Sequence, residues 1–257
     1  MLAIFQTFFP TLMVLTITET PPAPPAPPAP PAPAAPAVAT KAAGKPTPKP
    51  AKPSEPAKPS EPAEALATKV QRFYDSTKDF SADFIQLYTR VALSRTSESR
   101  GAVKVLKPGM MRWDYTQPEA KHFIADGKQL FVYDPEEQHV SIDPKFQIGE
   151  QGTSLSFLWG QGKLSDSFGV KLGDRAALSA PAGTEVLILT PKKDATYVSL
   201  ALIVDVTTGR VDESIIHETT GNTNRFKFSN VRTNGGLTAA AFQFTPPPGV
   251  EIAIINR

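Results

Sequence analysis

The chain has 257 residues, a formal net charge of +2 and no cysteine. The length allows one large domain or two small ones. Lack of cysteine excludes disulfides, thiolate metal sites, a cysteine nucleophile and an N-terminal lipoprotein cysteine. A near-neutral balance, with no basic stripe and no nucleic-acid motif, argues against nucleic acid as a partner.

Residues 1–20 open with LAIFQTFFPTLMVLTIT, uncharged until Glu19. This reads as a signal-peptide core or a short N-terminal membrane anchor. No Lys or Arg precedes it, Pro10 interrupts it and no A-x-A site follows closely, so cleavage and retention both stay open. Residues 21–63 hold most of the 27 prolines, first as PPAPPAPPAPPAP and then as Lys/Pro/Ala/Glu sequence with two copies of AKPSEP. Such a tract cannot bury a core and favours extended polyproline II, a passive spacer. The remainder, 64–257, is expected to form one domain of ordinary size.

Residues 64–78 are expected to be helical, because Leu66, Val70, Phe73 and Tyr74 recur at three- and four-residue spacing. From Phe80 the period becomes two. Phe80, Ala82 and Phe84 alternate with Ser81, Asp83 and Ile85; Met111, Trp113 and Tyr115 alternate with Arg112 and Asp114. The same rhythm runs through 198–206, 211–217 and 225–231. These segments, punctuated by Pro-Gly, Asp-Gly and Gly-Gly turns, read as half-buried antiparallel strands of a curling sheet. One run departs from the pattern: GEQGTSLSFLWGQG at 149–162, too apolar for an exposed loop, reads as a short helix over the sheet. The fold class is therefore mainly β with helices.

No catalytic constellation appears. The histidines, His122, His139 and His217, lie apart in strand patterns and are read as strand residues without a ligand role. Asp134, Glu136 and Glu137 cluster beside a proline and read as a solvated turn. Serine elbows, phosphate loops and dinucleotide fingerprints are missing. Neither metal nor cofactor is expected, and the chain is not expected to be an enzyme. What the sequence does offer is large apolar side chains of several shapes on one sheet face. An ordinary core explains most of them. The paired Met110 and Met111 and the glycine-flanked run around Phe157 point instead to an adaptable ligand cavity.

Five blocks carry a resemblance: FSADFIQ from Phe80, KPGMMRWDYTQPE from Lys107, DGKQLFVYDPEEQHV from Asp126, SLSFLWGQGKL from Ser154 and FQFTPPPGVEI from Phe242. In this order they resemble the LolA family of periplasmic lipoprotein carriers. The resemblance implies an unclosed antiparallel β-barrel with an α-helical lid, which shields lipoprotein acyl chains between an inner-membrane ABC transporter and an outer-membrane acceptor. Transferred position by position, it implies an acyl-binding lining of Tyr74, Met111, Trp113, Phe123, Leu155 and Leu158; Phe84 and Tyr115, on the apolar sides of their strands, are expected to join it. It also places Lys107 where related carriers have an arginine that bonds lid carbonyls and holds the lid closed; lysine lacks the rigid fork of arginine. A monomer in the periplasm is implied, tethered to the inner membrane if the N-terminal segment is retained. The competing readings are an RseB-like lipid- or lipoprotein-sensing module of the same fold and a carrier of another lipid. The proline-rich tract lies outside the resemblance.

Overall fold

The first helix, α1 (Glu61–Ser76), begins three residues before the periodic pattern does. Pro62 sits in its first turn, where a missing N–H costs nothing. Ala63, Leu66, Ala67 and Val70 form one buried stripe along it. The structure, a computed structural model, describes residues 61–146 and 163–255. The expectations for residues 1–20, for most of the proline-rich tract and for the 149–162 run, with Leu155 and Leu158, fall outside the described residues.

After α1 come β1 (Asp79–Arg90), β2 (Arg95–Leu106), β3 (Met110–Gln117), β4 (Lys121–Asp126), β5 (Leu130–Asp134) and β6 (His139–Asp143). A single helical turn, α2 (Leu164–Ser167), leads into β7 (Phe168–Leu172), β8 (Thr184–Pro191), β9 (Tyr197–Asp205), β10 (Val211–Glu218), β11 (Thr223–Thr233) and β12 (Glu251–Ile254). Together the strands build one 12-stranded sheet in the order β12-β6-β5-β4-β3-β2-β1-β11-β10-β9-β8-β7. The sheet is curved and its edges do not meet, as the expected half-barrel requires. Two meanders, β1–β6 and β7–β11, are joined at one seam, where β1 runs antiparallel to β11.

One pairing departs from the all-antiparallel expectation. β12 lies parallel to β6, with Ile252 beside Val140. It is reached by a chain that crosses the outer face, where Phe242 is buried and Phe244 packs edge-on against Phe131 at 5.3 Å. That crossing covers the outer-face residues Ile124, Phe131 and Val140. A long connection of this kind is what a parallel pair needs, because a tight turn cannot make one.

The inner face carries the two large cores. Over β7–β10, α1 lays its buried stripe on Phe168, Val170, Leu187, Leu189, Leu200 and Leu202. Its docking is fixed by polar contacts at several points. Lys69 Nζ donates to the Val206 carbonyl at 2.8 Å, and the Leu164 N–H donates to Gln71 Oε1 at 2.8 Å. Gly209, at φ 82°, lets the β9–β10 turn approach the helix; a Cβ there would lie 2.5 Å from the Lys69 carbonyl oxygen. The second inner core lies over β1–β6 and β11.

Candidate functional site

On the inner face the register brings together residues far apart in sequence. Ala82 faces Val103, which faces Trp113, which faces Phe123. One row further along, Phe84 faces Gly101, which faces Tyr115. On the far side of β1, Phe84 faces Phe228 and Gln86 faces Phe226. Because side chains alternate along each strand, all of these fall on one face.

They pack as a single aromatic cluster. The Phe84 ring lies 5.0 Å from Trp113 and 4.8 Å from Tyr115, both edge-on. Trp113 meets Phe226 at 5.4 Å, and Tyr115 meets Phe123 at 5.9 Å. Met111 and Leu130 border the rings and are fully buried. Edge-to-face contacts of this kind contribute about 1 kcal/mol each beyond burial. Burial pushes the Tyr115 phenol well above its usual range, so it stays neutral. Gly101 creates the space for Phe84: a Cβ there would meet the Phe84 ring at 2.8 Å and the Asp114 carbonyl oxygen at 2.1 Å.

Thus Phe84, Met111, Trp113, Tyr115 and Phe123 are brought together. Tyr74 is not among them. It extends the other inner core, under α1. There burial, and secondarily Asp212, raise its phenol pKa. Sequence reasoning missed Phe226 and Phe228, whose alternation was visible but whose neighbour across the seam was not.

Lys107 follows β2 on the same face. Its Nζ donates to the Tyr74 carbonyl at the end of α1, and its own N–H donates to the Lys78 carbonyl at 2.9 Å. A cation at a helix C-terminus is favoured by the exposed carbonyls there. Burial holds the Lys107 ammonium below the usual lysine range, against an opposing contribution from Asp75. The lysine thus ties the β2–β3 turn to the first helix.

The opposite face of β3 and β4 carries a polar network beside the apolar Ile124. Arg112 Nε donates to Asp114 Oδ2 at 2.8 Å, and His122 Nδ1 lies 2.6 Å from Asp114 Oδ1. Burial alone would raise the Asp114 carboxyl, but the bonds from His122 and Arg112 outweigh it and leave the pKa lowered. Asp134 is likewise lowered: burial raises it, while Lys121 and the Glu137 and Glu136 N–H groups together prevail. Both folded values lie below the unfolded one. Their stabilisation is therefore full above pH of about 4 and is lost as pH falls through the folded values. Asp114→Asn should lower the urea midpoint at pH 7 and leave a shallower loss below pH of about 4 than in the parent; equal acid sensitivity would remove Asp114 from this role.

Among the described residues no group of three or more His, Asp or Glu is placed to hold a metal ion. His122 stacks on Tyr133 at 5.7 Å and His139 lies 3.0 Å from the Ser141 hydroxyl. Among the described residues no helix is long and apolar enough to cross a membrane.

A family model described as outer membrane lipoprotein carrier protein LolA matches residues 75–245. An outer-membrane lipoprotein carrier protein of Chromobacterium violaceum is 32% identical over 185 residues, 72% of this chain and 85% of that protein. A protein of the same description from Dechloromonas aromatica is 28% identical over 182 residues, 70% and 83% of the two chains. A solved LolA superfamily protein from Nitrosomonas europaea superposes with a TM-score of 0.38 at 10% identity, covering 71% of this chain and 97% of that one. The family match takes in β1 through β11 and the aromatic face they share, and the chain belongs to the LolA family of outer membrane lipoprotein carrier proteins.

Proposed function

We propose that this chain is a periplasmic chaperone that takes lipoprotein acyl chains onto its inner aromatic face and carries them from the inner to the outer membrane. The observation that supports this reading is the continuous apolar face of Phe84, Met111, Trp113, Tyr115 and Phe123 on a sheet whose edges stay apart. Exposed to water, an acyl chain costs about 0.8 kcal/mol per methylene, so a lipid-bearing protein crossing an aqueous space needs a face of this size and chemistry. Aromatic rings and a methionine adapt to chains of different length and kink. In this reading the donor is an inner-membrane lipoprotein-releasing ABC transporter, the receiver is an outer-membrane acceptor, and the carrier works as a monomer without cofactor or catalytic step. In this reading Leu155 and Leu158, outside the described residues, and Tyr74 also bind acyl chains.

The test is direct. The full chain is incubated with inner-membrane vesicles bearing a labelled lipoprotein, and soluble carrier–lipoprotein complex is measured. Release into the soluble fraction is expected; no release, with no lipid held by the purified chain, would sink the reading.

Lys107 supplies the second half of this function, reversible closure. Cutting its bond to α1 favours opening, and apparent affinity rises with the fraction of open molecules. Lys107→Leu is expected to bind lipopeptide several-fold more tightly and to hand it over more slowly, while Lys107→Arg keeps parent-like rates. Unchanged kinetics in Lys107→Leu would leave the lysine a purely structural tie.

A further inference from the structure

The seam between β1 and β11 holds two buried amides on the inner face. Gln86 is 3% exposed and Asn224 is 6% exposed. Gln86 Nε2 donates to Asn224 Oδ1 at 2.9 Å, joining residues 138 positions apart. The carbonyl oxygen of Gln86, Oε1, is buried and has no hydrogen-bond partner among the described residues. Leaving a buried acceptor unpaired costs about 1–3 kcal/mol, and such groups in native proteins call for an explanation.

The surroundings supply one. The amides share the inner face with the aromatic cluster: Gln86 lies directly across from Phe226, and Phe84 is its neighbour on β1. Ile216 of β10 lies across from Asn224 and belongs to the core under α1. The pair therefore sits where the two apolar cores meet. Beyond it the same face turns polar. Tyr88 Oη donates to Glu218 Oε2 at 3.3 Å, and Asn222 Nδ2 donates to Tyr88 Oη at 3.2 Å. Exposure increases along this row: Gln86 is buried, whereas Tyr88 and Asn222 are partly exposed. The inner face thus grades from a greasy end near Met111, through one amide pair, to a polar exit.

We propose that Gln86 and Asn224 form the linkage subsite of the acyl-binding face and read an amide-linked acyl chain. This rests on the carrier reading and deepens it. An N-acyl group has both an N–H and a C=O at its junction with the peptide. The N–H would satisfy Gln86 Oε1, and the carbonyl would accept from the Asn224 side-chain amide. The chains would then run toward Phe84, Trp113 and Met111, and the peptide would leave past Tyr88 and Asn222. Lipids joined only through esters have no donor for Oε1, so the subsite selects against them.

The full chain is titrated with two soluble probes. One is a synthetic lipopeptide whose N-terminal cysteine carries an amide-linked palmitoyl chain. The other is its depsi analogue, in which an ester oxygen replaces that N–H. The parent chain should prefer the amide probe by roughly tenfold, the scale of one hydrogen bond in a desolvated site. In Gln86→Met that preference should vanish through weaker amide binding, with the depsi probe held as before. Equal affinity of the parent chain for both probes, or a preference that survives Gln86→Met, overturns the proposal. A pair that only pins the strand register would lower the melting temperature without changing the ratio of affinities, and that result overturns it too. Should Gln86→Met fail to fold, the two-probe ratio of the parent chain decides alone. A parent chain that holds neither probe overturns the carrier reading itself, an outcome distinct from equal binding of both.

Discussion

Trp113→Glu is expected to abolish retention of acyl chains. Trp113 is 7% exposed and its indole is held between Phe84 and Phe226. A carboxylate there must either ionise in an apolar cluster or remain protonated, and each choice costs several kcal/mol relative to the indole. Lipopeptide affinity should fall at least tenfold, and soluble lipoprotein should no longer accumulate with the chain. Truncating a buried tryptophan also costs about 3–5 kcal/mol of stability, so the measurement needs a companion. Trp113→Leu removes the ring and keeps the site apolar; it should bind within a few-fold of the parent chain. A folded Trp113→Glu that still holds lipid would place the acyl chains elsewhere, with the core beneath α1 the first place to look.

Gly101→Val should be the most destabilising single substitution on this face. Its Cβ would lie 2.1 Å from the Asp114 carbonyl oxygen, which is backbone and cannot swing aside, and 2.8 Å from Phe84 Cζ, which can. Relief requires β2 and β3 to separate locally, at about 2–4 kcal/mol. The urea midpoint should drop accordingly. Adding Phe84→Leu should recover only a small part of the loss, because it removes the ring contact and leaves the backbone clash. Full recovery would show that the ring alone sets the requirement for glycine.

The strands were legible because period-two alternation is a local property. Met111, Trp113 and Tyr115 share a face whatever their partners, and β3 confirms that placement. Pairing between β1 and β11 was not legible, since no local signal links Gln86 to Phe226 across so long a stretch. That gap hid Phe226 and Phe228, and with them the amide pair at the seam. The helical stripe of α1 was equally plain, but a stripe does not say which strands it covers. The structure sets it over β7–β10, so Tyr74 packs away from the aromatic cluster. β12 escaped notice for another reason: four residues after a proline run give too short a pattern to read.

The position of the seam also bears on the chain's birth. A polypeptide emerging N-terminus first presents α1 and β1–β6 long before β11. Each hairpin of the first meander can form as it appears, since its contacts are local. Yet Phe84 and Trp113 have no Phe226 to pack on until more than a hundred further residues have followed. During that interval the inner aromatic face of the first meander lacks the Phe226 and Phe228 side of its core. Such half-built sheets are prone to mispairing and aggregation. Time spent with an unfinished face is thus a folding hazard separate from the stability of the finished sheet.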